Sequence, residues 1–139
     1  MHPAQHEVRS AAWALNGTTG VVSAARGYTC GFLAGMDLPP EAEDDVLLVV
    51  SELVSNAVRH APGPCTLRLA ESADALTVTV DDTSDVRPRP RPPDLTGGGG
   101  LGWHLLRTLA EQVGIQAHRD GGKTVTAVLA RGRRRTAWV

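Results

Sequence analysis

The stretch Ser51-Glu52-Leu53-Val54-Ser55-Asn56-Ala57-Val58-Arg59-His60 decides the fold. With Val46, Val49 and Val50 upstream, its apolar residues Leu53, Val54, Ala57 and Val58 recur at i, i+3, i+4 and i+7, the period of one buried helical stripe. Glu52, Ser55, Asn56 and Arg59 fall on the other side. Glu52 and Asn56 are four residues apart, which stacks a carboxylate and an amide on one helical face. A carboxylate can serve as general base and an amide oxygen can bind a hard cation, so the two address one small volume. Upstream, Leu38-Pro39-Pro40 is a connector, and Glu41, Glu43, Asp44 and Asp45 suit the first helical turn through the macrodipole. Pro62-Gly63-Pro64 stops the chain from continuing as helix. The pattern predicts a helix from about Pro40 to His60.

Towards the N-terminus, residues 1–7 read as a flexible start and Val8 to Leu15 as a first strand, followed by an Asn16-Gly17 turn. A helix is predicted from Thr18 or Thr19 to Leu33, with Val21, Val22, Ala25, Tyr28, Cys30 and Phe32 packing and Gly35 as its stop. Gly27 and Gly31 are unfavourable inside it. Towards the C-terminus, Thr66 to Ala70 and Leu76 to Asp81 alternate apolar and polar residues around Ala73-Asp74, which predicts a hairpin with one buried face. Val86-Arg87-Pro88-Arg89-Pro90-Arg91-Pro92-Pro93 cannot join a sheet interior, and Thr96-Gly97-Gly98-Gly99-Gly100 has wide backbone freedom. Leu101 to Val113 is predicted helical through Leu105, Leu106, Leu109 and Ala110, closed by Gly114. Ile115 to His118 and Thr124 to Ala130 then form a second hairpin around Asp120-Gly121-Gly122. This order predicts an α+β sandwich, with helices on one face of a mixed sheet.

The chain has 139 residues, enough for one compact domain, expected over residues 8–130 with a mobile loop at about 83–100. Apolar residues make up 42% but aromatics only 4%, so Val, Leu and Ala must build the core. A net charge of -1 gives no global field that favours nucleic acid or an anionic membrane. Arg131, Arg133, Arg134 and Arg135 form a local basic cluster, read as a solvated tail over 131–139. Cys30 and Cys65 make no CxxC and suggest neither a zinc site nor a disulfide framework. Without a signal-like start or a spanning apolar run, a soluble, cytoplasmic protein is expected.

Gly97, Gly99 and Gly102 spell a literal GxGxxG, but an Arg- and Pro-rich segment precedes them where a dinucleotide fold requires a buried strand. No GxxxxGK[ST] loop is present either. A glycine loop opening a helix can still offer backbone N–H groups to phosphate oxygens near Leu101 to His104, and it can equally be a plain linker. Asp82, where the chain leaves its strand, can accept from an exocyclic amine such as that of adenine, or cap its own loop. Asp81 beside it is expected to face solvent or to be the capping partner. Thr124, at the start of the last strand, can add a hydroxyl to base recognition or be an ordinary strand residue.

Glu52-Leu53-Val54-Ser55-Asn56-Ala57-Val58-Arg59-His60-Ala61, Val80-Asp81-Asp82-Thr83-Ser84, Gly99-Gly100-Leu101-Gly102 and Gly121-Gly122-Lys123-Thr124 together resemble the ordered boxes of the GHKL ATPase superfamily. Within it the chain is most similar to the anti-sigma-factor serine kinases, the RsbW-like regulators. The resemblance covers about residues 8 to 130. It implies a two-layer α/β sandwich of Bergerat type, with a mainly antiparallel sheet, and ATP and Mg2+ as cofactors. Position by position, it implies that Asn56 binds Mg2+, Glu52 is the general base towards a substrate serine, and Asp82 reads the adenine amine with Thr124 in support. Gly100, Leu101 and Gly102 would form the lid's approach to the phosphates, with Arg59 and His60 as candidate phosphate contacts. The implied partners are a STAS-type anti-sigma-factor antagonist, a sigma factor and a second copy of the chain.

Two departures mark this sequence. Thr83, Ser84 and Asp85 follow Asp82 where the family's fuller pattern has glycines, and Asp94-Leu95-Thr96-Gly97-Gly98-Gly99-Gly100 lacks an arginine beside the lid glycines. Phosphoryl transfer needs charge stabilisation beyond positioning, so a catalytically silent, nucleotide-gated binding module is the alternative to a protein serine/threonine kinase. A third reading is an interaction domain that no longer binds nucleotide.

Overall fold

The computed structural model describes residues 7–16, 19–60, 63–83 and 99–131. In chain order the elements are β1 (Glu7–Leu15), α1 (Val21–Leu33), α2 (Pro40–His60), β2 (Cys65–Ser72), β3 (Ala75–Asp82), α3 (Gly99–Leu109), β4 (Gln112–Ala117) and β5 (Lys123–Ala130). The strands form one sheet in the order β1-β2-β3-β5-β4, and every pairing is antiparallel, so no parallel pair is present among the described strands. Parts of the predicted N-terminus, most of the 83–100 loop, and the tail beyond Arg131 lie outside the described residues.

Helix α2 runs over the predicted span because its stripe is strong and both ends carry stop chemistry. Val46, Val49, Val50, Leu53, Val54 and Ala57 are all buried. They meet the alternate residues of the central strands: Leu67 and Leu69, Leu76, Val78 and Val80, and Val125, Ala127 and Leu129. Each fully buried Leu or Val contributes about 1.5–3 kcal/mol relative to exposure, which makes this layer the main source of stability. Among the described residues no helix is long and apolar enough to cross a membrane.

Several boundaries differ from the sequence expectation. Helix α1 begins at Val21, because Gly20 holds a left-handed φ of 76° and cannot be the helix's first turn. Its exposed residues include Cys30, which was expected to pack, and Tyr28 instead stacks on Trp13 at 5.3 Å. Helix α3 ends at Leu109, and Val113 and Gly114 belong to β4. The Glu111 N–H donates to the Val128 carbonyl at 2.7 Å and opens the β4–β5 ladder, so Gly114 is a strand residue rather than a helix stop. Strand β3 continues through Asp82, which is therefore the strand's last residue and not the first beyond it.

One buried carboxylate ties the margins of the fold together. Glu71 accepts from Arg9 Nε at 3.0 Å and from Arg131 Nη1 at 2.6 Å. Arg9 also donates to the Phe32 carbonyl at 2.7 Å and lies over the Phe32 ring. Arg131, counted by sequence with the solvated tail, is thus a structural clamp on β2.

Candidate functional site

Glu52 and Asn56 occupy one side of α2, each half-buried, one turn apart as their spacing requires. Ser51 faces a different neighbour: Arg26 of α1 donates to its hydroxyl at 2.8 Å. Arg59 is exposed near the helix end, and His60 is the last residue of α2. Gly100, Leu101 and Gly102 lie in the first turn of α3, so part of the glycine run is helix N-terminus rather than linker. Residues Ser84 to Gly98, with Arg87, Arg89 and Arg91, lie outside the described residues.

The last rungs of the β3–β5 ladder hold the most specific geometry. Asp81 pairs in register with Thr124, and Asp82 with Lys123. Strand alternation sends the members of each rung to one face and the two rungs to opposite faces. Asp82 and Lys123 follow Val80 and precede Val125 on the helix-covered side, where their side chains are only 2% and 1% exposed. Lys123 Nζ reaches both carboxylate oxygens, at 2.9 and 3.1 Å. On the open side, the Thr124 hydroxyl donates to Asp81, and His118 Nε2 lies 2.6 Å from Thr124 Oγ1. Asp81, Thr124 and His118 thus form one polar cluster on this face. The expected joint network of Asp82 and Thr124 is therefore absent: the sheet separates them.

Gly122 explains why Lys123 reaches Asp82. Its φ is +91°, and a Cβ there would stand 2.4 Å from the Asp82 carbonyl oxygen. The β4–β5 turn thus packs directly against the backbone at the end of β3 and delivers Lys123 to the adjoining rung. Cys65, at the start of β2, shares this neighbourhood: burial first and the charge of Asp82 second push its thiol pKa up. Sequence reasoning assigned no role to Lys123. The available signal was period two, since Lys123, Val125, Ala127 and Leu129 share a face.

The donor set suits a nucleotide with its metal. Among the described residues no group of three or more His, Cys, Asp or Glu could hold a metal alone. Mg2+ commonly takes one or two protein oxygens plus substrate phosphates, which is what the Asn56 amide oxygen beside Glu52 can offer. In the first turns of α3, the buried Trp103 Nε1 has no hydrogen-bond partner among the described residues. An orphaned buried donor costs about 1–3 kcal/mol, and it is chemically suited to an acceptor-rich ligand. A groove of about 570 Å³ between the end of α3 and β4–β5, lined by Arg107, Glu111 and Thr126 among others, contains none of these residues. It holds no carboxylate and amide stacked one helical turn apart, so α2 and the β3 end remain the stronger candidate.

A family model of the histidine kinase-like ATPase domain matches residues 16–129. The chain is similar to blue-light-activated histidine kinase 2 of Erythrobacter litoralis, 34% identical over 99 residues that cover 67% of this chain and 28% of the relative. It is also similar to serine-protein kinase RsbW of Bacillus licheniformis, 32% identical over 101 residues that cover 60% of this chain and 62% of the relative. The chain thus spans less than two thirds of the length of either curated relative. Among solved structures, the RsbU and RsbW domains of Rv1364c from Mycobacterium tuberculosis match with a TM-score of 0.68 at 20% identity, over 91% of this chain and 34% of that one. The SiaB–SiaC complex from Pseudomonas aeruginosa matches with a TM-score of 0.56 at 11% identity, over 86% and 89%. These structural likenesses speak for the fold: a two-layer α+β sandwich with helices on one face of an antiparallel sheet.

Proposed function

The chain belongs to the histidine kinase-like ATPase family, and on that premise we propose that it is an ATP- and Mg2+-dependent regulator of RsbW type, a protein serine/threonine kinase acting on an anti-sigma-factor antagonist. Family membership implies ATP binding. The observation that carries the finer reading is the pair Glu52 and Asn56, stacked and half-buried on the polar side of α2. A polar helix face ordinarily carries such residues, and what supports a role here is that both are half-buried and stacked one turn apart.

Bound ATP supplies the γ-phosphoryl group, which passes to the acceptor hydroxyl as ADP leaves, and Mg2+ neutralises phosphate charge. In this reading Asn56 holds the metal through its amide oxygen, and Asp82 accepts from the adenine amine. Glu52 takes the proton of the acceptor serine or threonine hydroxyl. Backbone N–H groups at Gly100, Leu101 and Gly102 face phosphate oxygens at the positive end of α3. Arg59 and His60 add phosphate contacts, and residues 83–100 act as the lid. The partners are a STAS-type antagonist and a sigma factor, in the cytoplasm, with the chain as a homodimer. The resemblance to serine-protein kinase RsbW supports this choice of substrate class.

The test is transfer of labelled phosphate from ATP to the antagonist. Glu52→Ala should lower the rate by about 10²–10⁴-fold, the usual contribution of a general base. Asn56→Ala should abolish Mg2+-dependent ATP binding in calorimetry. A lid sequence without an arginine beside its glycines favours a second reading, a silent nucleotide-gated module. Phosphoserine or phosphothreonine on the antagonist decides for the kinase; ATP-dependent partner exchange without it decides for the module.

A further inference from the structure

We propose that Lys123 is a base-reading residue, acting with Asp82 as one acceptor–donor unit that takes the Watson–Crick edge of adenine. The inference rests on the reading that ATP binds at Asp82, and it assigns to Lys123 the supporting position first expected of Thr124. Three observations converge on it. Lys123 Nζ contacts both oxygens of Asp82, and both side chains are almost wholly removed from solvent. The pair forms the last rung of the β3–β5 ladder, at the margin of the helix-covered face, so it lies at the sheet's end and not in mid-core. Gly122 sets the approach, because its φ of +91° and its closeness to the Asp82 carbonyl place the β4–β5 turn directly against the end of β3.

The chemistry then follows from donor and acceptor inventories. An ionised carboxylate only accepts, whereas an ammonium only donates and carries three protons. Lys123 Nζ spans both Asp82 oxygens, and an ammonium has a third proton with which to meet a ligand acceptor. Asp82 and Lys123 therefore set an acceptor beside a donor in a dry site. Adenine presents the complement, an N6 amine beside the unprotonated N1. Asp82 takes the amine, and Lys123 donates to N1. A buried ion pair is not kept for stability alone, since well-packed apolar residues of similar volume often serve at least as well. Reading a polar edge gives the pair a reason to be there. Thr124 contributes nothing on this face, being committed to Asp81 on the other.

The experiment compares ATP with 1-deaza-ATP, in which a C–H replaces the N1 acceptor, by calorimetry with Mg2+ on the full chain. A hydrogen bond from a charged donor is worth about 1.5–3 kcal/mol, so wild-type protein should bind the analogue about 10- to 100-fold more weakly. In Lys123→Met, folded by circular dichroism, ATP should weaken to the level of the analogue and the difference between the two ligands should vanish. Should Lys123→Met fail to fold, Lys123→Gln keeps a neutral N–H donor against Asp82 and should shrink the difference to a few-fold. Equal wild-type affinity for both nucleotides overturns the proposal, as does an undiminished difference in the folded variant. No wild-type binding of ATP at all overturns the underlying reading, a result distinct from either of those.

Discussion

Asp81 and Asp82 are neighbours in sequence and live in different media. Asp82 lies beneath the helices against Lys123, 2.9 Å away and hidden from water, whereas Asp81 lies on the open face of the sheet with Thr124 and His118. The two rungs share the same strands and the same turn, and only strand alternation separates them. The difference teaches that an aspartate box is not a property of the dipeptide. Which carboxylate can meet a ligand in the interior is fixed by the parity of β3, counted from Leu76, Val78 and Val80.

Truncating each aspartate should separate the two environments most strongly. Asp82→Ala leaves a buried ammonium uncompensated and should cost about 3–5 kcal/mol in urea denaturation, against about 1 kcal/mol or less for Asp81→Ala. Equal losses would mean that the faces are wrongly distinguished. Next in size is Gly122→Ala, which forces a side chain into a left-handed conformation and against the Asp82 carbonyl. It should cost at least about 1–3 kcal/mol, whereas Gly27→Ala, with nothing within 4 Å in an exposed turn of α1, should gain about 0.5–1 kcal/mol.

A pH experiment sharpens the interior side. The folded protein raises the Cys65 thiol pKa, by burial first and by the Asp82 charge second, so it holds that proton more tightly than the unfolded chain does. The associated stability is fully present below the unfolded thiol's pKa and is lost as pH rises through the folded value. Wild-type protein should therefore lose stability on the alkaline side more steeply than Cys65→Ala. Exposed Cys30 should react with a thiol reagent in the native state while Cys65 waits for unfolding. The smallest effects belong to the open face: Thr124→Val and His118→Ala should each change stability by less than about 1 kcal/mol and leave ATP affinity unaltered.

Most of the architecture was legible because it rests on period. The stripe from Val46 to Ala57 specified α2 and its buried face, alternation specified the β2–β3 hairpin, and the Asp120-Gly121-Gly122 turn specified the second, whose first strand begins earlier than expected, at Gln112. The end of α3 was misplaced because Val113 continues the helical stripe in sequence, while in space it pairs with Ala127 of β5. The placement of Glu52 and Asn56 on one side of α2 was legible since helical spacing alone stacks them, while their roles stand as proposed. The contact of Lys123 with Asp82 was not, for a physical reason: the two are 41 residues apart, and only the register between β3 and β5 brings them together. A lysine at the start of a strand is ordinarily read as solvated. The Arg- and Pro-rich segment from Val86 to Pro93 lies outside the described residues, and its part in a lid stands as proposed.

If nucleotide is read on the helix-covered face, at Asp82, as proposed, then titrating ATP with Mg2+ into wild-type protein, Asp82→Asn and Asp81→Asn, each folded by circular dichroism, should separate the two aspartates. Saturable binding that survives Asp81→Asn unchanged and weakens at least about tenfold in Asp82→Asn is the predicted result, the loss of one hydrogen bond to a charged group. Binding that weakens with Asp81→Asn and not with Asp82→Asn would place the nucleotide on the open face instead.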